Sequence, residues 1–217
     1  MTATTITAPA TDVRTLGTTR RLLGALALSG PLWAVVSLSQ VVAHDGFDLT
    51  KYPLSMLAVG PAGWIQITNF IVAGLLVIAG AAGLRRALPS RWVPRLTAVY
   101  GAGYVLAGVF VMDPGGGWPV GFDETPDTLS WHAVAHLLAG TVAFIALTAA
   151  HLVLARHFSR RGEKGWAWVA RVGAVGVIVG DAASMAQLGS EIMAGGVMLS
   201  MLLLSLIAAK LLRQRME

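Results

Sequence analysis

Six apolar blocks, each about the 20 residues that a helix needs to cross a bilayer core, leave this chain few ways to fold. They cover residues 22–43, 64–84, 96–112, 131–155, 166–188 and 192–212. In hydrocarbon the backbone N–H and C=O groups must pair within the segment, so blocks of this length are expected to be helices. Composition agrees. Only 12% of the residues are charged and 55% are hydrophobic, where a soluble domain carries about 25% charged residues. The sequence therefore predicts an all-α integral membrane bundle of six transmembrane helices. It forms one domain over residues 19–217, preceded by a flexible cytoplasmic arm, residues 1–18, rich in Thr and Ala. Pro31 should kink the first helix, and the short connection near Gly189 makes the last two blocks a tight hairpin.

The basic residues set the orientation. Fifteen of the 16 Lys and Arg residues fall in the N-terminal arm, the second-to-third connection, the fourth-to-fifth connection and the C-terminus; Lys51 alone lies on the other side. By the positive-inside rule both termini are cytoplasmic, in a multi-pass protein of the cell (plasma) membrane. The net charge of +5 is thus a topology signal with some attraction to anionic lipid, and no nucleic-acid partner is expected. Thr-Arg-Arg-Leu-Leu at 19–23 and Val-Val-Ala at 41–43 imitate a twin-arginine signal with its cleavage site. The apolar stretch between them is longer than a signal core, so it reads as an uncleaved first span. The chain has no cysteine, which excludes disulfides, iron–sulfur clusters and thiolate zinc sites. Gly176 and Gly180, and Gly101, Gly103 and Gly108, recur at helix-packing spacing. No repeat relates the first three blocks to the last three.

Loop motifs carry a resemblance. They are Tyr-Pro-Leu-Ser-Met-Leu-Ala-Val-Gly-Pro-Ala-Gly-Trp-Ile-Gln-Ile-Thr-Asn-Phe at 52–70, Ala-Gly-Val-Phe-Val-Met-Asp-Pro at 107–114 followed by Gly-Trp-Pro-Val-Gly, and Trp-His-Ala-Val-Ala-His at 131–136. Over about residues 20–212 the chain resembles the domain-of-unknown-function 998 family. That resemblance implies a six-span bacterial membrane protein of actinobacterial type and supplies no activity. Where many relatives open the last helix with Gln-Arg, this chain has Gly-Ser-Glu at 189–191.

Topology gathers the polar residues at the outer end. His44, Asp45, Asp48, Asp113, Asp123, Glu124 and Asp127 fall in or beside outer loops. Gln66 and Asn69 share a face of the second helix. Asp181, Ser184, Gln187 and Glu191 fall within an arc of about 120° at the outer end of the fifth. A carboxyl inside a span costs about 2.5–3.5 kcal/mol on insertion scales and normally faces a polar interior. Asp181 thus predicts an outer cavity, with Trp64, Trp118, Trp131, Phe122, Tyr100 and Tyr104 near its mouth, unless the tryptophans form an interfacial belt. His132 and His136, at i and i+4, share a helix face. With Asp113 they are an alternative ligand set for a divalent metal such as zinc, against a hydrogen-bonded or proton-handling His/Asp group that needs no cofactor. Ala133 replaces the glutamate of the zinc-protease signature, so that motif is absent. His151 and His157 are expected at the cytoplasmic interface or as helix-dipole partners.

Three functions fit these residues. A membrane enzyme would take a lipid-like or isoprenoid molecule, with Asp113 or Asp181 as general acid and His132 or His136 as proton acceptor, for cyclisation, isomerisation or hydrolysis. Gln66, Asn69, Trp64, Tyr104, Trp118, Trp131, Gln187 and Glu191 would bind the substrate. A looser likeness, in residue types only, to lipid hydrolases around the alkaline ceramidases implies Ser55 as a counterpart serine. The alternatives are a small proton-coupled transporter of an amphipathic molecule, coupled through Asp181, and a non-catalytic binding or scaffold protein. Membrane lipids surround all three, and a homo-oligomer is compatible with each.

Overall fold

Each apolar block coils into a helix. In the computed structural model, which describes residues 10–60 and 62–215, the helices are α1 (Ala10–Ala43), α2 (Gly63–Ala87), α3 (Trp92–Val109), α4 (Trp131–Arg160), α5 (Lys164–Met185) and α6 (Ser190–Arg213), with a short 3-10 turn at Leu54–Ala58. No strand forms among the described residues. Five helices (α1 from Leu16, α2, α4, α5 and α6) are long and apolar enough to cross a membrane. α3 falls short of that measure: its 18 residues rise about 27 Å, and its first turns carry Pro94, Arg95 and Thr97. Residues 10–18, which the sequence places in the N-terminal arm, are helical; residues 1–9 of that arm lie outside the described residues.

Local chemistry explains where helices begin and end. α3 starts four residues before the expected 96, because the Ser90 hydroxyl accepts the Val93 N–H at 3.3 Å and Pro94 sits in the first turn, where its missing N–H costs nothing. It also stops earlier, at Val109. Ser130 caps α4, its hydroxyl accepting the Ala133 N–H at 3.2 Å. α5 ends at Met185 rather than 188, in a Schellman turn: Leu188 N–H donates to Ala183 O at 3.0 Å and Gln187 N–H to Ser184 O at 3.1 Å. Gln187 there takes a φ of 55°.

The helices pack in chain order as a ring: α1 on α2, α2 on α3, round to α6, which closes on α1. Lipid tails are as apolar as leucine, so close packing rather than water exclusion joins them. Small residues allow that approach. A Cβ on Gly101 would stand 2.8 Å from Gly74 O, and one on Gly74 2.6 Å from Gly101 O. α1 runs as one helix through Pro31. Beside that proline the Ser205 hydroxyl of α6 accepts the Gly30 N–H at 3.1 Å and donates to Leu26 O at 2.9 Å. These are the two groups a regular helix would pair with each other, so a neighbouring helix satisfies the backbone where proline disturbs it.

The two ends of the ring differ. Basic residues from α1, the α2–α3 and α4–α5 connections and the end of α6 share one end. There Lys210 pairs with Glu163 and its ammonium lies 4.6 Å from the Phe158 ring centre. Lys210 first, and Arg161 with it, hold the Glu163 carboxyl below its ordinary range. The opposite, loop end is capped by residues 44–60 and 110–130. Trp118 plugs this cap, donating its Nε1–H to Met56 O at 2.8 Å and packing edge-on to Phe47. Gly117 (φ +96°) lies so close to Tyr52 that a Cβ would stand 2.7 Å from its hydroxyl.

Candidate functional site

In the loop-end half of the ring lies a cavity of about 430 Å³. All six helices contribute: Trp33 from α1, Phe70 from α2, Tyr104 from α3, His136 from α4, Asp181 from α5 and Val197 from α6. The turn at Leu54–Ala58 adds Leu54 and Ser55. The wall is apolar except for a few groups. Among the described residues it holds one carboxylate, one imidazole, the hydroxyls of Ser55, Tyr104, Thr141 and Ser184, and the Trp33 indole, with no lysine or arginine.

His136 is fixed by the end of α3. Its Nδ1 lies 3.0 Å from Ala107 O and 2.8 Å from Phe110 O, carbonyls that the helix terminus leaves without partners. Both neighbours are acceptors, so Nδ1 carries the proton, and in the neutral ring Nε2 keeps a lone pair. Phe70 meets the ring edge-on, 6.2 Å between centres. Asp181 is half-buried and has no hydrogen bond or ion pair among the described residues. Trp33 is buried, and its Nε1–H has no partner among the described residues. The hydroxyls of Tyr104 and Thr141 are engaged, with Met201 Sδ at 3.2 Å and Leu137 O at 2.8 Å.

The expected site is thus partly assembled and partly dispersed. His136, Asp181 and Tyr104 line one cavity. His132 does not. It is exposed and stacked on Trp131, 3.6 Å between ring centres, because α3 stops at Val109 and supplies no helical neighbour one turn above His136. Asp113 faces a separate shallow cleft in the 110–130 loop with Glu124 and Asp127. Its carboxylate accepts the Ser130 N–H at 2.7 Å, and the Ser130 hydroxyl and backbone hold its pKa below the ordinary value. A carboxyl so held is an anchor for the start of α4 rather than a proton donor at neutral pH. His132, His136 and Asp113 therefore do not converge as the alternative metal set requires, and no group of three or more His, Asp or Glu side chains placed to hold a metal occurs among the described residues.

The expected substrate-binding polar pair has another role. Gln66 is fully buried, accepts Gln40 Nε2–H at 2.8 Å and donates to Leu54 O at 3.3 Å. Asn69 donates to Ser37 Oγ at 3.1 Å and Trp33 O at 3.2 Å. Together they bind α1 to α2. Trp64 and Trp131 are two-thirds exposed on the bundle surface; Trp118 is the cap plug. Gln187 forms the turn after α5, and Glu191 lies in the first turn of α6; neither lines the cavity. His151, expected at an interface, is fully buried, its Nε2 on Ser200 O at 3.1 Å. Gly173 of α5 makes that room, since a Cβ there would meet the imidazole. Ser184, on the polar arc with Asp181, and Ser55 join the site, and so do Trp33 and Phe70, which the pattern of apolar blocks did not mark. Ser37 and Gln40, three apart on α1 as Gln66 and Asn69 are on α2, were the signal for the α1–α2 network.

The quoted loop motifs form the cap: Tyr52 meets Gly117, Trp118 meets Met56, and a Cβ on Gly60 would stand 2.9 Å from the Trp118 ring. A family model described as a protein of unknown function, DUF998, matches residues 27–212. The chain belongs to the DUF998 family. The match runs from within α1 to near the end of α6, so the cap and the whole cavity wall fall inside the DUF998 region. No curated protein and no solved structure matches the chain.

Proposed function

We propose that the protein is a six-span plasma-membrane protein, with both termini cytoplasmic, that transforms a lipid-like or isoprenoid molecule by acid–base chemistry between Asp181 and His136. Membrane lipids are its surroundings and the source of its substrate. One observation carries the reading: an unpartnered carboxyl from α5 and an imidazole from α4 with a free Nε2 lie on the wall of one largely apolar cavity. Asp181 gives a proton to the substrate, and the Nε2 lone pair of His136 takes one from it. The net change is an isomerisation or cyclisation that needs no oxidant; with water as co-reactant the same pair serves hydrolysis. No metal or cofactor is used. Orientation rests on the clustering of basic residues at one end of the ring. Transport is the weaker reading, since Leu147, Leu154 and Phe158 fill the basic-end half.

The test is lipid profiling of nanodiscs incubated with a bacterial lipid extract. The wild type and His132→Ala should convert a common species; His136→Ala and Asp181→Asn should convert it about 100-fold or more slowly, at unchanged unfolding temperature. Equal conversion by either of the latter two would remove the assignment.

A further inference from the structure

The cavity wall reaches the outside of the bundle in one direction. On α4, Leu137 and Ile145 line the cavity and are 45% and 66% exposed; on α5, Met185 lines it and is 87% exposed. Neighbouring seams are shut by small residues. A Cβ on Gly103 of α3 would stand 2.7 Å from Ala143 of α4, and one on Gly180 of α5 would stand 3.0 Å from Met193 of α6. Between α4 and α5 the corresponding glycine is Gly140, where a Cβ would meet nothing within 4 Å. Both helices are apolar enough at this level to lie in hydrocarbon. A gap there faces lipid chains rather than water.

The unmatched polar atoms narrow the occupant further. Trp33 Nε1–H is a buried donor without an acceptor, and such orphans are rare in folded proteins. His136 Nε2 and the Asp181 carboxyl can each accept. A phosphate head would meet Asp181 with no lysine or arginine on the wall, and an unpaired anion in that setting is strongly disfavoured. An ammonium head has donors only and would leave the Trp33 N–H unmatched. A hydroxyl donates once and accepts as well, so it serves both sides.

Resting on the reading of this cavity as the ligand site, we infer that the occupant is an uncharged, hydroxyl-bearing lipid that enters sideways from the bilayer between α4 and α5. Its hydroxyl lies among Trp33, His136 and Asp181, and its apolar chain passes out beside Gly140 into the surrounding lipid.

The test uses two photoreactive lipids that share acyl chains and differ in the head, a diacylglycerol and a phosphatidic acid, in nanodiscs of phosphatidylcholine. Crosslinks are mapped by peptide mass spectrometry. The diacylglycerol should label segments 137–145 and 181–185 at least ~10-fold more than the phosphatidic acid, the ratio expected for about 1.4 kcal/mol of discrimination. Gly140→Trp should abolish that labelling at unchanged unfolding temperature. Ile145→Trp, at the other edge of the gap, serves if the first variant does not fold. Equal or stronger labelling by the phosphatidic acid, no labelling by either probe, or full labelling of the blocked variants overturns the inference. Labelling is read without turnover, so a labelled but inactive wild type would overturn the acid–base reading and leave this one standing.

Discussion

Replacing Gln66 by leucine separates a structural network from a binding site. The side chain has no exposed surface. Its carbonyl accepts from Gln40 Nε2 at 2.8 Å and Asn69 Nδ2 at 3.3 Å, and its amide donates to Ser37 Oγ at 3.2 Å and Leu54 O at 3.3 Å. Only the first of these is short. Hydrogen bonds between membrane helices average about 0.6 kcal/mol and reach about 1.7, so losing one short and three longer bonds costs about 2 kcal/mol. For a chain of this size each kcal/mol shifts the midpoint by about 2–4 °C, which gives a fall of about 4–8 °C. Thermal unfolding in nanodiscs, followed by tryptophan fluorescence, reads this directly. Gln40→Leu alone should also destabilise, and the double variant should cost about 1 kcal/mol less than the sum of the two. Lipid conversion measured below the lowered midpoint should stay at the wild-type level. A Gln66→Leu protein that unfolds like the wild type but loses conversion would refute the network and return Gln66 to the site.

Ser205→Ala removes the hydroxyl between Gly30 N–H and Leu26 O; it should cost about 1–2 kcal/mol, read as a fall in unfolding temperature, whereas an unchanged midpoint would mean that Pro31 leaves the ladder intact. Gln187→Gly relieves a left-handed residue at φ 55° and should raise stability by about 0.5–1 kcal/mol without touching conversion; lost conversion would place Gln187 in the site after all. Asp113→Asn should lower the unfolding temperature near pH 7. Because the folded-state pKa lies below the ordinary 3.8, the wild-type carboxylate stabilises the fold above that value, and this is lost as pH falls through the lower folded value. The deficit of the variant should therefore be full at pH 5 and close only below 3.8; a deficit that shrinks between pH 7 and 5 would contradict the anchoring role.

The helical blocks were legible because hydrocarbon length and backbone pairing leave few alternatives. Their ends were less so. α3 stops at Val109, three residues short of the expected 112, and that early stop decides which histidine enters the cavity. Periodicity placed His132 and His136 on one face, and rightly so, but a shared face does not give both residues the same neighbour. Asp181 was legible as an acid within a span. Gln66 and Asn69 were legible as polar residues turned inward, yet whether they meet a ligand or another helix depends on Ser37 and Gln40, whose side of α1 no single-helix pattern reveals. Trp33 is apolar by composition. Its value to the site, an unmatched N–H, exists only once the ring has closed around it.

If His136 and Asp181 act together on one membrane-derived molecule, their substitutions are coupled. A double-mutant cycle on lipid conversion in nanodiscs measures that coupling, using the wild type, His136→Ala, Asp181→Asn and the combined variant. Groups that work as a unit are strongly non-additive, so the combined variant should be no slower than the slower single variant. Two independent, multiplying losses, or a wild-type rate after either substitution, would mean that the two groups do not work as a pair.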